Sequence, residues 1–301
     1  MLPVIIVTYN SADVIGECLR SVYSAGPYSN VEVIVVDNAS TDGTVENIAK
    51  SFPEIQVIAN RENIGFARAV NQGVSMAAGD CVFLLNPDTQ VGERCLSILR
   101  EVMDRYPATA IAAPRIQNVN GSGQPSVWNF PSVGSLLIEM IVPHVVASSM
   151  LDRTPKGTDR RVDVESASGA ALMIRKSVFD QLGGFDERFF MYYEDIDFCL
   201  RCKQAGFTIS FVPGALVRHY QGKSSWRDPI SFFQRFYSSK IMYARKHFTP
   251  GEAGRAVSLI IAGLWWKNLF YSTFGALFFR PHLRKLGESY REARKLLLLH
   301  H

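Results

Sequence analysis

The sequence predicts an α/β fold built on a doubly wound, mostly parallel sheet, and three observations carry that expectation. Over the first 90 residues, β-branched apolar runs alternate with segments of helical period, joined by short connections, as consecutive βαβ units require. Cys81–Leu85 is five apolar residues in a row, too short for a helix and without alternation, which marks a strand covered on both faces. The strand-like runs also end on polar groups: Thr8, Asp37 and, in Asn86-Pro87-Asp88, a third. Ligands of open α/β sheets bind outside the carboxyl ends of the strands, so these groups gather on the edge where function is expected.

Each element has its own signal. Pro3–Thr8 is an apolar β-branched run, read as a buried strand, and Ala12–Ser24 carries Val14, Ile15, Cys18, Leu19 and Val22 at helical spacing. Val31–Asp37 is a second strand, followed by turn-rich Asn38–Gly43. A short helix to Ser51, a strand over Ile55–Ala59 and a helix from Asn63 to about Ala77 lead into Cys81–Leu85. That strand stops where Pro87 has no N–H to give the ladder. Glu93–Arg105 is amphipathic through Leu96, Leu99, Val102 and Met103, and a short strand lies near Ile111. From Arg115 to Glu165 the period is lost among Gly, Ser, Pro and Asn, except for an apolar patch over Leu136–Val146; such an excursion reads as a functional lid or a poorly ordered insertion. Regularity returns with a strand over Gly169–Ile174 and a helix over Lys176–Leu182. A loop of glycines, aromatics and acids from Gly183 then feeds a helix with Ile196, Cys199 and Leu200 that ends at Gly206. Phe207–Val212 and Ala215–Val217 are strand-like, and aromatic-rich helices follow Ser231.

A hydrophobic share of 47% and a charged share of 20% suit a chain that buries a sizeable core. The net charge of +4 gives no global sign of nucleic-acid binding, but its placement is uneven. From Arg280 onward six basic side chains face Glu288 and Glu292, so the tail alone carries the whole excess. The five cysteines are odd in number and no signal peptide precedes the first strand, which points to a reducing cytoplasm. Cys199 and Cys202 match C-x-x-C, but no second pair completes a zinc site, and they read as small core residues at helical spacing.

Neither G-x-G-x-x-G nor G-x-x-x-x-G-K-[ST] occurs, which argues against dinucleotide oxidoreductases and P-loop enzymes. A divalent cation on Asp88 could neutralise phosphates instead. Asp37, with Thr8 and Asn10 nearby, reads either as a contact to a base or ribose or as the aspartate of an Asx-turn. Glu194, Asp195 and Asp197 cluster at a helix start, where acids favour the macrodipole and cap free N–H groups. Asp197 has Arg201 as an i,i+4 partner, whereas position 199 is a cysteine, so Asp195 is the candidate proton acceptor. His219 follows a strand-like run and is either a structural histidine or a fourth group on the same edge.

At this point the residues carry a resemblance. Val4-Ile-Ile-Val-Thr-Tyr-Asn10, Val35-Val-Asp-Asn-Ala-Ser-Thr-Asp-Gly43, Asn63-Ile-Gly-Phe-Ala67 with Asn71-Gln-Gly73, and Leu84-Leu-Asn-Pro-Asp88 resemble the family 2 inverting glycosyltransferases. Gly184-Phe-Asp-Glu-Arg-Phe-Phe-Met-Tyr-Tyr-Glu-Asp-Ile-Asp-Phe-Cys-Leu-Arg201 and His219-Tyr-Gln-Gly222 are similar to its rhamnosyltransferase-like branch. The resemblance spans residues 3 to 224 in order and implies a GT-A fold, a nucleotide-diphosphate sugar donor and a divalent metal, Mg²⁺ or Mn²⁺. By motif, Thr8, Asn10 and Asp37 would hold the nucleoside, with Asn63, Gly65 and Asn71 also on the donor side. Asn86 and Asp88 stand where the metal-binding Asp-x-Asp lies, Asp195 where the catalytic base lies, and His219 where a further metal ligand lies. Glu194 would orient the acceptor. Many relatives carry Gly-Phe-Ala-Gly-Gly-Asn-Asn where this chain has Gly65-Phe-Ala-Arg-Ala-Val-Asn71, so Arg68 reads as a ligand of the donor diphosphate or as the mark of a different donor sugar.

The implied function is inverting transfer of a sugar, first rhamnose from dTDP-rhamnose, to a polyprenyl-linked or oligosaccharide acceptor in cell-surface polysaccharide synthesis. The alternatives are another UDP- or dTDP-sugar, or a catalytically silent nucleotide- or glycan-binding module. A processive synthase would need a Q-x-x-R-W motif, which is absent. The expected organisation is a catalytic domain over 1–230, with 114–165 as an acceptor-side insertion, and a helical region over 231–301. Ala256–Phe279 is long and apolar, but Lys267 and Asn268 sit at its middle and Trp265 and Trp266 beside them prefer the headgroup region. Two short helices on an anionic inner-leaflet surface are therefore expected, drawn there by the basic run from Arg280 to Lys295, with packing against protein or in a homodimer as the alternative. The protein would then be peripheral on the cytoplasmic face of the plasma membrane.

Overall fold

In the computed structural model, which describes residues 1–25, 31–220 and 228–300, Leu2–Thr8 (β1) is buried at all seven positions, as its apolar run requires of a central strand. Ile15–Ser24 (α1), Val31–Asp37 (β2), Thr44–Ser51 (α2), Gln56–Ala59 (β3), Phe66–Met76 (α3) and Cys81–Leu85 (β4) follow in the expected alternation. Next come Thr89–Val91 (β5), Cys95–Arg105 (α4), Thr109–Gln117 (β6), Val127–Trp128 (β7), Val133–Ile141 (α5) and His144–Leu151 (α6). Val162–Asp163 (β8), Ser166–Ala167 (β9), Ala171–Arg175 (β10), Lys176–Gln181 (α7), Glu194–Gln204 (α8) and Thr208–His219 (β11) lead to three long helices. These are Pro229–His247 (α9), Pro250–Leu277 (α10) and Pro281–His300 (α11).

The main sheet runs β3-β2-β1-β4-β10-β6-β11-β5, with β8 on β11. β1, β2, β3 and β4 are parallel, and so are β6 and β11. β10 lies antiparallel between β4 and β6. The carboxyl ends of β1, β2, β4, β6 and β11 therefore share one edge, and β10 begins at that edge. Successive side chains of the buried strands feed opposite faces. Ile5, Ile34, Val82 and Leu84 pack with Val70 and Phe198, whereas Ile6, Val35, Phe83 and Leu85 pack with Leu19 and Leu99. Unbroken apolar runs are what two covered faces demand.

By internal contacts the described residues divide into Met1–Phe130, Arg153–Phe190 and Glu194–Ser224 as one compact unit, and Pro131–Asp152, Met191–Tyr193 and Ser225–His301 as a second. The second unit thus takes in α5 and α6, within the stretch that sequence reasoning assigned to the catalytic domain. That stretch is also more regular than its composition suggests. β6 extends to Gln117, and α5 starts in a capping box formed by two serines, Ser132 and Ser135, each accepting from the other's backbone N–H. The usual partner at that third position is Glu or Gln, so the start signal is easily passed over.

Two further expectations need correction. The two strand-like runs after Phe207 are one twelve-residue strand, β11, whose register against β6 shifts between Val212 and Leu216 to absorb Pro213, Gly214 and Ala215. Ala256–Phe279 does not form two short helices. One helix, α10, runs to Leu277 from a capping box of Thr249 and Glu252, because Lys267 and Asn268 are tolerated in a helix and no proline interrupts it. Phe233, Tyr237 and Ile241 of α9, Ile260 and Leu264 of α10, and Tyr290, Ala293 and Leu297 of α11 form its core. No helix among the described residues is long and apolar enough to cross a membrane. All five cysteines are buried and unpaired, Cys199 and Cys202 in the core as expected.

Candidate active site

The edge formed by β1 and β2 is a hydrogen-bonded loop pair. Thr8 and Asp37 are register partners at the ends of β1 and β2, and the Thr8 hydroxyl donates to Asp37 Oδ1 at 2.7 Å. The Ser40 N–H and hydroxyl also donate to Asp37, at 2.9 and 2.5 Å, so the Asx-turn geometry is present. Asn10, in the left-handed region at φ +51°, donates its N–H to Ser40 Oγ at 2.8 Å, and its side-chain oxygen accepts from the Thr41 N–H at 2.8 Å. The three residues read as nucleoside contacts therefore build one pre-formed loop.

Asn63, Gly65 and Asn71 hold backbone. Asn63 Oδ1 accepts from the Gly65 N–H at 3.1 Å. Gly65 has φ +88°, and a Cβ there would lie 2.6 Å from the Phe190 carbonyl, which accepts from the Phe66 N–H at 2.6 Å. Only glycine permits that approach. Asn71 grips the same glycine-aromatic loop twice, donating to the Phe185 carbonyl at 2.8 Å and accepting from the Phe185 N–H at 2.9 Å. Arg68 is exposed and lies 3.7 Å from Glu187.

Asp88 and His219 meet across the sheet. β11 is antiparallel to β5, which pairs His219 with Thr89, and the Tyr220 N–H donates to the Asp88 carbonyl at 2.8 Å. His219 Nε2 then lies 3.2 Å from Asp88 Oδ1, with both groups largely buried. His219 Nδ1 lies 3.0 Å from Gln124 Oε1. The Gln124 amide nitrogen donates to Asn118 Oδ1 at 3.4 Å, which turns the amide oxygen toward the ring, an arrangement that suits a proton on Nδ1. Nε2 and Asp88 Oδ1 thus face each other, a nitrogen and an oxygen donor at a spacing that two ligands of one cation can share. Among the described residues no three of His, Cys, Asp or Glu surround one point. A cavity of about 90 Å³ opens beside the pair, lined by Asp13, Val14, Glu17, Asp88, Thr89 and Tyr220. Glu17 accepts there from Gln90 at 2.8 Å and from the Tyr220 hydroxyl at 3.1 Å.

The three acids that open α8 have three environments. Asp197 is fully buried and accepts from Arg201 Nε at 2.8 Å, while the other Arg201 nitrogens donate to the Leu182 and Gly184 carbonyls at 2.8 Å. Asp195 Oδ2 accepts from the Gly169 N–H, and Oδ1 from the Ile196 N–H, each at 2.8 Å. A Cβ on Gly169 would lie 3.1 Å from Asp195 Oδ2, so glycine lets the carboxylate sit against the backbone. Burial raises the Asp195 pKa, and the two N–H groups pull it part of the way back. Glu194 is buried with Oε2 unpartnered; burial first, and the charge of Asp195 second, push its pKa well above the usual carboxylate range.

Comparison with known proteins decides what this arrangement belongs to. The glycosyl transferase family 2 model matches residues 4–183. The chain belongs to glycosyl transferase family 2. A second description, the N-terminal domain of galactosyltransferase, matches residues 152–223. The family-2 chain is 31% identical over 321 residues to N-acetylglucosaminyl-diphospho-decaprenol L-rhamnosyltransferase of Mycobacterium tuberculosis, covering 99% of this chain and 97% of that protein. It is 28% identical to a dTDP-rhamnosyl transferase of Shigella flexneri, covering 81% and 80% of the two chains. Among solved structures it is similar to a mannosyltransferase from Pyrobaculum calidifontis in complex with GDP-Man and Mn²⁺, with a TM-score of 0.58 at 18% identity, covering 97% of this chain and 85% of that one. The likeness supports the GT-A fold.

In this family-2 transferase the structure brings Thr8, Asn10 and Asp37 into one network and, through the pairing of β5 with β11, Asp88 against His219. Asn86 joins Asp88 to the α8 acids through its backbone: its N–H donates to the Ala170 carbonyl at 2.9 Å, one residue from the Gly169 that holds Asp195. Gln221 and Gly222 of the last motif lie outside the described residues. Sequence reasoning missed Gln124 and Gly169. Gln124 reaches His219 because a tight turn at 118–122 folds it back on β6, where its N–H donates to the Ile116 carbonyl, and nothing periodic announces it. Gly169 did carry a signal, a glycine directly ahead of an apolar strand.

Proposed function

We propose that the protein transfers rhamnose, with inversion, from dTDP-rhamnose to the N-acetylglucosamine of a polyprenyl-diphosphate-linked acceptor in cell-surface polysaccharide synthesis. The observation that carries the chemistry is the shared anchor at Asn86, Ala170 and Gly169, which ties a strand-end carboxylate paired with histidine to a second carboxylate held by two N–H groups. The similarity to rhamnosyltransferases along nearly the whole chain supports the sugar and the acceptor.

Inversion needs an acceptor hydroxyl aligned opposite the leaving diphosphate and a base to take its proton as the new C1–O bond forms. Asp195 fits that base: both oxygens are oriented by backbone N–H groups, and a raised pKa strengthens it as a proton acceptor. Glu194, whose pKa burial and the charge of Asp195 push well above the usual carboxylate range, holds a proton more readily than Asp195, which two N–H groups favour as the carboxylate. Asp88 and His219 fit two ligands of a divalent ion, and Gln124 holds the imidazole so that Nε2 faces it. When bound, the ion would neutralise charge on the diphosphate. The Thr8–Asp37–Asn10 loop would receive the nucleoside. Arg68 supports a second reading in which the donor is a different UDP- or dTDP-sugar. The acceptor places the work at the inner leaflet, with the second unit as the membrane-facing part.

Thermal unfolding with a panel of nucleotide sugars tests this directly, since a ligand of the folded state raises its stability. dTDP-rhamnose with Mn²⁺ is expected to give the largest rise, EDTA to abolish it, and Asp88→Ala to behave as the chelated protein. A rise indifferent to EDTA rejects the metal, and a larger response to another sugar replaces rhamnose.

A further inference from the structure

The second unit contains an ionic group that sugar transfer does not use. Lys240 and Glu139, both on its helices, form an ion pair with the lysine only 2% exposed. Lys267, near the middle of α10, is 4% exposed, and its ammonium faces the Tyr290 ring at 5.8 Å without a hydrogen-bond acceptor among the described residues. Two buried lysines thus share one carboxylate, and that carboxylate is engaged by Lys240. Two largely buried cations on one carboxylate leave an uncompensated positive charge, which is costly, so the site is built to receive an anion. Burial first, then the charge of Lys240, hold the Lys267 pKa down to about 8 against the opposing pull of Glu139.

Lys267 also forms part of the wall of a pocket of about 40 Å³, lined by Ile141, Val142, Pro143, Trp266 and Phe270 among others. That space admits a water or the oxygens of a phosphoryl group, but no sugar ring. Around it the surface is apolar: Ile141 on α5 is exposed, and Trp265, Trp266, Leu269, Phe274 and Leu277 form an exposed stripe at helical spacing along α10. A free, hydrated anion has no use for such a rim, whereas an amphiphile satisfies both parts at once. A second copy of the chain would bring its own basic tail, whose net charge equals that of the whole protein. An anionic surface meets that charge with the opposite sign.

We propose that this pocket binds the phosphate of an anionic lipid, with Lys267 Nζ as its counter-charge and the Trp265, Trp266 and Leu269 stripe in the adjoining apolar layer. The proposal rests on the membrane-surface part of the functional reading. Every readout below is binding, so it fails or stands independently of donor and sugar.

The test is flotation of the full chain with phosphatidylcholine vesicles, with and without phosphatidylglycerol, at physiological salt. Wild type should prefer the phosphatidylglycerol vesicles, and Lys267→Met should lose about fivefold or more of that preference, the worth of one charge near the surface. Equal preference in both proteins would assign binding to the exposed basic tail and overturn the proposal. A second measurement needs no variant. Reductive methylation of lysines in the wild type, read by mass spectrometry, should show Lys267 modified in buffer and protected by phosphatidylglycerol vesicles. Protection by inorganic phosphate alone would make it a free-anion site and reject the lipid. Equal protection by both vesicle types, or no modification in buffer, would also reject it.

Discussion

The start of α8 and the junction of β5 with β11 solve the same problem, holding carboxylates ready on one sheet edge, by opposite means. At α8, three acids within four residues are separated by their partners: an arginine for Asp197, two N–H groups for Asp195, and nothing for one oxygen of Glu194. At the junction, Asp88 and His219 are 131 positions apart in sequence and are joined by strand pairing, with Gln124 behind them. Local chemistry sets Asp197 apart, through Arg201 one turn on, but does not separate Glu194 from Asp195, since both suit a helix N-terminus. Distant backbone does, because the Gly169 N–H reaches Asp195 and no partner reaches Glu194 Oε2. At the junction identity is plain, and only proximity depends on the fold.

The comparison breaks most visibly if Asp197 proves chemical and Asp195 structural. Arg201→Met takes the guanidinium from the buried Asp197 and releases two loop carbonyls, and should cost about 3 kcal/mol or more of stability in urea unfolding. A variant as stable as wild type would show that the pair does not hold the loop. Asp195→Asn should keep the unfolding midpoint and lose transfer about a hundredfold or more. If it turns over normally while Asp197→Asn does not, the base has been assigned to the wrong carboxylate.

Smaller effects sharpen the contrast. Gln124→Leu should weaken Mn²⁺-dependent donor binding about tenfold, and Gln124→Glu, which keeps an acceptor for Nδ1–H, should recover most of it. Equal loss in both would reduce Gln124 to packing. The smallest change is expected from Glu194→Gln. The Glu194 pKa is raised in the folded state, so the protonated form stabilises the fold below its ordinary value of 4.5, and that contribution is lost as pH rises towards the folded value. The glutamine variant should match wild type at pH 4 and gain on it above, by up to about 1.4 kcal/mol per pH unit within that window. Parallel stability curves would mean that Glu194 finds a partner after all.

Much of the catalytic unit was legible in the chain because its signals are local. A strand buried on both faces must be apolar throughout, so Cys81–Leu85 was readable to the residue, and Pro87 marked where it stops. The same holds for the strand ends Thr8, Asp37 and Asp88, which a parallel sheet places on one edge. The α5 start was not readable, because Ser135 stands where a capping box usually has Glu or Gln, and the single helix over Ala256–Leu277 was not, because its central lysine reads as a cost of membrane insertion rather than as an ordinary helix residue.

By itself, then, the sequence determined the order of strands and helices, the polar groups at the strand ends and the family to which they belong, all consequences of period and adjacency. Tertiary structure alone decided that β10 runs backwards between β4 and β6, since a strand entering from the carboxyl edge has no other direction. It alone also brought Gly169 to Asp195, Gln124 to His219, and Lys267 into the interior beside a carboxylate already paired with Lys240. The reason is common to all of them. A partner contributed by backbone, or by a side chain a hundred residues away, leaves no trace in the local pattern, yet it sets the charge and orientation of the group it touches.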